Sequence, residues 1–125
     1  MQFKEKKQQD EWRSNKLHPK VTRVCLILES MAELYKDKMP DGITITSIYR
    51  EGDPKYHGKW QAVDVRDRDW DHRFFRIAQV VLTGLRQLDK RVQHEFEPTI
   101  RDEDTGVVLK GQHLHIEFDD NSLGV

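Results

Sequence analysis

Residues His113-Leu114-His115-Ile116-Glu117-Phe118 alternate ionisable and apolar side chains without a break. Successive residues of a strand point to opposite faces, so this run fits a sheet that has a core on one side and an open face on the other. Leu114, Ile116 and Phe118 belong to the core side, which leaves His113, His115 and Glu117 on the open side. The run Gln61 to Arg66 is divided in the same way, with Val63 and Val65 pointing one way and Ala62, Asp64 and Arg66 the other. Both strands therefore present metal-competent side chains opposite their apolar ones.

The remaining pattern supplies what covers the apolar side. Pro19 suits the first turn of a helix, and Val21, Val24, Cys25, Leu28, Met31, Ala32 and Tyr35 recur at helical spacing, which predicts a helix from about Lys20 to Lys38. Met39-Pro40-Asp41-Gly42 stops it. Ile43 to Ser47 is β-branched and alternating, a strand, and Arg50 to Lys59 is a loop holding Gly52, Pro54 and Gly58. With Asp69 or Asp71 as N-cap, Trp70, Phe74, Ile77, Ala78, Val81, Leu82, Leu85 and Leu88 make a second amphipathic helix that ends near Leu88. Val92 to Glu97 is a further strand, and Pro98 to Gly111 is a polar loop with a hairpin expected around Thr105-Gly106. The order helix, strand, strand, helix, strand, strand predicts an α+β fold: a small, mostly antiparallel sheet with two main helices on one face. Residues 1–18 are polar, anchored only by Phe3, Trp12 and Leu17, and are expected to be an arm packed loosely on a single domain spanning residues 19–125.

Composition excludes several classes. Charged residues are 34% of the 125-residue chain and hydrophobic ones 36%, so a modest core lies under a densely ionised surface. The longest apolar run, Val24 to Leu28, is five residues, far below the roughly 18 of a membrane span. The first twenty residues hold no apolar block that could act as a secretory signal, so synthesis in the cytoplasm is expected. A single cysteine, Cys25, excludes an internal disulfide and reads as a core residue. Arg66, Arg68, Arg73 and Arg76 alternate with Asp67, Asp69 and Asp71, which gives no single-signed stripe for nucleic acid.

The chemistry concentrates in three places: His57 with Asp64 seven residues on, the His113-Leu114-His115 pair, and Arg50 after Ser47-Ile48-Tyr49. A catalytic zinc takes three N/O ligands and leaves a position open for water, and a loop His, a strand Asp and a His from a neighbouring strand could supply them. His18, His72 and His94 taken singly read as solvated histidines.

Those segments, Ser47 to Arg50, His57-Gly58-Lys59-Trp60-Gln61-Ala62-Val63-Asp64 and His113 to Glu117, resemble the zinc D-alanyl-D-alanine carboxypeptidase and L-alanyl-D-glutamate endopeptidase family. That family includes phage endolysins and vancomycin-resistance dipeptidases, within a wider group that reaches lysostaphin-type peptidases and the hedgehog signalling domain. The resemblance covers about Ile43 to Asp119 and implies a hedgehog/D,D-peptidase-like fold. It implies zinc held by His57, Asp64 and His115, and a peptidoglycan stem peptide as substrate of a monomeric enzyme. Arg50 would pair with a substrate carboxylate or steady the oxyanion. The alternative for Arg50 is a salt bridge to Glu51 or Asp53. Trp60, stationed beside the metal loop, and Tyr49 would line the cleft.

The chain departs from the family pattern at three places. Lys55 stands two before the first His where a Ser is usual, and Trp60 three after it where a Gly is usual. Gln112 occupies the position three before the last ligand, where many members carry an acidic base, and a carboxamide cannot take a proton from water. His113 or Glu117, on the same face as His115, is the expected substitute, and Glu117 could instead orient His115. The absence of a leader fits a phage or prophage lysin released by a holin, a cytoplasmic dipeptidase or a defective relative. A binding module that holds stem peptide or a protein partner without cleaving it is the rival reading. A cupin-like site is weaker, because two long helices argue against an all-β barrel.

Overall fold

The alternation in His113–Phe118 and Ala62–Arg66 is realised as two neighbouring antiparallel strands, with Val63 opposite Ile116, Val65 opposite Leu114 and Asp64 opposite His115. The computed structural model describes residues 1–120; residues 121–125, which the expected domain included, lie outside it. In chain order the elements are β1 (Gln2–Phe3), α1 (Lys6–Arg13), α2 (Pro19–Leu34), β2 (Thr44–Ser47), a 3-10 turn (His57–Lys59), β3 (Ala62–Arg66), α3 (His72–Leu88), β4 (Val92–Glu97), β5 (Ile100–Arg101), β6 (Val108–Lys110) and β7 (His113–Phe118). The main sheet runs β1-β2-β3-β7-β4, and every pair in it is antiparallel except β1 with β2. β5 and β6 form a separate hairpin. The architecture is α+β, as the element order predicts.

Cross-strand partners share a face, so the register sorts the sheet into two surfaces. Ile45, Val63, Val65, Leu114, Ile116 and Phe118 are buried in a core with Val21, Val24, Cys25, Leu28 and Ala32 of α2 and Phe74, Ala78 and Leu82 of α3. The opposite surface carries Asp64 beside His115 and Glu95 in one row, and Arg66 beside His113 and Glu97 in the next. The helices thus fill one side, and the ionisable residues keep the other.

Local chemistry explains the helix ends. His18 caps α2 by accepting the Lys20 amide at Nδ1, with Pro19 in the first turn. The helix stops at Leu34, short of the expected Lys38, because residues 35–39 close into turns on the Tyr35 carbonyl ahead of Pro40. Asp71, one of the two expected caps, accepts the Arg73 amide. α3 reaches Leu88 as expected, although Ile77 and Leu88 lie exposed at the rim of the apolar face.

The first eighteen residues are more integrated than a loose arm. Gln2 and Lys4 donate backbone hydrogen bonds to the Ile43 and Ile45 carbonyls, the N-terminal ammonium meets Glu29, and Phe3 packs near Trp12. The sequence pattern hid this because a two-residue strand has no period to read. The hairpin expected around Thr105-Gly106 is present, with Gly106 at φ 73°. Among the described residues no helix is long and apolar enough to cross a membrane.

Candidate metal centre

His57 enters the site from the 3-10 turn, and its orientation is set by the backbone. Nδ1 lies 2.8 Å from the Ile48 carbonyl, which can only accept, so Nδ1 donates there and Nε2 is the nitrogen turned to the site. That Nε2 is buried, has no hydrogen-bond partner, and faces Oδ1 of Asp64 at 3.3 Å. Gly58 makes the turn possible: a Cβ there would sit 1.9 Å from the Asp53 carbonyl oxygen.

Asp64 is 3% exposed at the centre of the cluster. Its Oδ1 also accepts from His115 Nδ1 at 2.8 Å, and its Oδ2 accepts from Arg50 Nη2 at 2.8 Å. The other ring nitrogen of His115 lies 3.1 Å from Glu117 Oε1. Burial works against the Asp64 charge, but the hydrogen bond from His115 and the neighbouring His57 ring outweigh it and hold the carboxyl far below the usual range. Burial likewise opposes protonation of His115, yet the carboxylates of Asp64 and Glu117 outweigh it and raise its pKa to about 9. His115 therefore holds a proton against Asp64 at neutral pH.

Candidate ligand atoms of His57, Asp64 and His115 all lie within 4.8 Å of one another. One edge, 3.3 Å, matches the roughly 3.3 Å ligand separation of a tetrahedral zinc site, and the other, 2.8 Å, is shorter. The orphaned Nε2 is the test of fit: a buried ring nitrogen with no hydrogen-bond partner, 3.3 Å from a carboxylate oxygen, is placed to share a cation with it. The residues fit a divalent ion bound by nitrogen and oxygen donors.

The structure brings together nearly every residue singled out from the sequence, with altered roles for some. Arg50 is engaged with Asp64, at 2.8 Å, and more distantly with Asp53, at 4.0 Å, while its side chain remains 43% exposed. Tyr49 and Trp60 stack with ring centroids 4.5 Å apart, and the pair borders the metal loop. Trp60 takes a left-handed φ of 59°, the conformation at which a glycine is at ease. Stacking on Tyr49 and the contact of Lys16 with the Trp60 ring offset that cost. Glu117 holds His115 and so occupies the orienting position, one of the two roles expected for it.

His113 is buried, with Nδ1 2.9 Å from the Gly111 carbonyl and Nε2 2.6 Å from Glu97 Oε2 and 3.8 Å from Asp64 Oδ1. The contact with Glu97 is close but is not a hydrogen bond, and the buried Nε2 has no hydrogen-bond partner. Glu97 is the residue that sequence reasoning missed. Its strand was identified, but only the pairing of β4 with β7 sets Glu97 opposite His113. Gln112 is exposed, and its side chain hydrogen-bonds buried Asp67, whose pKa is raised by burial. His18 and His94 are half-buried and not solvated singly: His18 stacks on Phe118 and His94 packs against Phe96. Burial pushes the Cys25 thiol up to about 12, in keeping with a core role.

Comparison with protein-family models, curated proteins and solved structures finds no match to the chain.

Proposed function

We propose that the chain is a zinc-dependent peptidase acting on peptidoglycan stem-peptide amides, with a D,D-peptidase-like fold. The observation that carries this reading is the buried, unpartnered Nε2 of His57, clustered with Asp64 and His115. Zinc bound there supplies Lewis acidity, which acidifies water and polarises an amide carbonyl. His57, Asp64 and His115 are its ligands, with Glu117 fixing the His115 ring and Arg50 fixing the outer oxygen of Asp64. His113 receives the proton of the attacking water at Nε2 and returns it to the leaving amine, while Glu97 steadies the charged ring. This pair replaces the acidic side chain that the family pattern places at Gln112. Tyr49 and Trp60, stacked on each other beside the 3-10 turn that carries His57, brace that turn.

The test is mass-spectrometric analysis of defined muropeptides incubated with zinc-loaded protein. Cleavage that disappears in His115→Ala and in His113→Ala supports the reading. An inactive wild type that binds zinc and muropeptide would favour the non-cleaving binding module. Gln112→Glu would place a second carboxylate against Asp67, so it is expected to restore little activity to a His113→Ala protein.

A further inference from the structure

Asp64, the central residue of the candidate metal cluster, and His113 open onto a cleft of about 450 Å³ whose charge is one-sided. Lys4, Arg50, Arg66, Arg68 and Lys110 line it, against the single carboxylate of Asp64. Arg50 is paired with Asp64 and Lys110 with Glu97. Lys4, Arg66 and Arg68 form no ion pair among the described residues. The alternation Arg66-Asp67-Arg68 cancels in the sequence but separates in space, since Asp67 is buried and the two arginines reach the cleft.

The cleft is also not closed at that end. A neighbouring depression of about 420 Å³, bordered by Pro40 and Trp70, shares Lys4 and Arg66 as its common wall. A groove that continues past the cations suits an extended chain better than a dipeptide. Arg66 lies two residues from Asp64 on the same face of β3, a separation of about 7 Å, close to two residues of extended peptide.

We infer that Arg66, Arg68 and Lys4 form a second subsite, which binds a carboxylate of the peptide about two residues from the bond at the metal. This rests on the peptidase reading only for the identity of the ligand as a stem peptide. Guanidinium groups suit the role because they bind carboxylate through paired hydrogen bonds.

The probe is a stem pentapeptide, L-Ala-γ-D-Glu-L-Lys-D-Ala-D-Ala, made with its glutamyl α-carboxylate either free or converted to the carboxamide. Binding of each to zinc-loaded protein is read by anisotropy of a labelled peptide, and hydrolysis is read by mass spectrometry on the same samples. The free acid is expected to bind about tenfold tighter. The preference should vanish in the doubly substituted Arg66→Gln, Arg68→Gln protein and shrink in Lys4→Gln, with zinc affinity held within about twofold. Equal binding of the two peptides, or a preference that survives the double substitution, overturns the inference. Preference without hydrolysis leaves the subsite standing and removes the peptidase reading; hydrolysis without preference does the reverse.

Discussion

A backbone carbonyl decides what His57 can do. With Nδ1 committed to Ile48, only Nε2 faces Asp64, and the proton that now bridges Asp64 and His115 must leave before an ion can enter. Because the pKa of His115 stands at about 9, zinc competes with that proton throughout the neutral range. Apparent zinc affinity should therefore rise by up to about tenfold per pH unit from pH 7 towards pH 9 and then level off, with about one proton released per ion below pH 9. Titration against a competing chelator in buffers of different ionisation enthalpy measures both quantities. A flat affinity over that range would mean that His115 is not a ligand. Glu97 makes a separate statement at the same scale. Since its carboxylate contacts His113 and none of the three ligands, Glu97→Gln should lower kcat on a cleaved muropeptide by about 10- to 100-fold while zinc affinity changes less than about twofold. Steady-state kinetics with zinc titration separate these, and a loss confined to zinc binding would remove Glu97 from the proton path.

The elements carry the site with different degrees of rigidity. Asp64 and His115 sit side by side on paired strands, whereas His57 hangs from a turn that tolerates no side chain at Gly58. Gly58→Ala would drive a methyl group into the Asp53 carbonyl, displacing the turn. The expected result is at least tenfold weaker zinc binding with the far-ultraviolet circular dichroism unchanged, checked by the same chelator competition. The contrast also explains what the sequence disclosed. The alternation in His113–Phe118 and Ala62–Arg66 marked both faces of the sheet, because side-chain direction is fixed by a period of two. Spacing marked His57 as a partner of Asp64 but could not orient its ring, since that depends on the carbonyl of Ile48 in a different segment. Glu97 and the cations of the cleft were illegible for a related reason. Which strand neighbours β7, and that the first residues extend the sheet beside β2, are long-range choices with no local signal.

For the whole molecule, the candidate metal cluster and the helix-packed core lie on opposite faces of one five-stranded sheet, so an ion bound by the cluster should register in the stability of the fold. Zinc at about 100 times its dissociation constant should stabilise the fold by about 2.7 kcal/mol. In a domain of this size that corresponds to about 10 °C in Tm. The metal-free protein has its own pH dependence, with a sign set by His115. Its folded pKa lies above the roughly 6.5 of an unfolded histidine, so the contribution is fully present below pH 6.5 and is lost as pH rises through about 9. Asp64 acts at the other end: its lowered pKa contributes stability above the ordinary carboxylate range, lost only in strong acid. Between pH 6.5 and 9 the metal-free protein should therefore lose Tm, while the zinc-bound protein, whose His115 has no proton to give up, should not. The increment produced by zinc should widen over that interval and collapse in Asp64→Asn, which keeps the shape of the side chain and removes its charge. Thermal scans at pH 6.5, 7.5 and 8.5, with zinc and with a chelator, provide the comparison. An increment that narrows with rising pH would show that the ion binds away from this cluster.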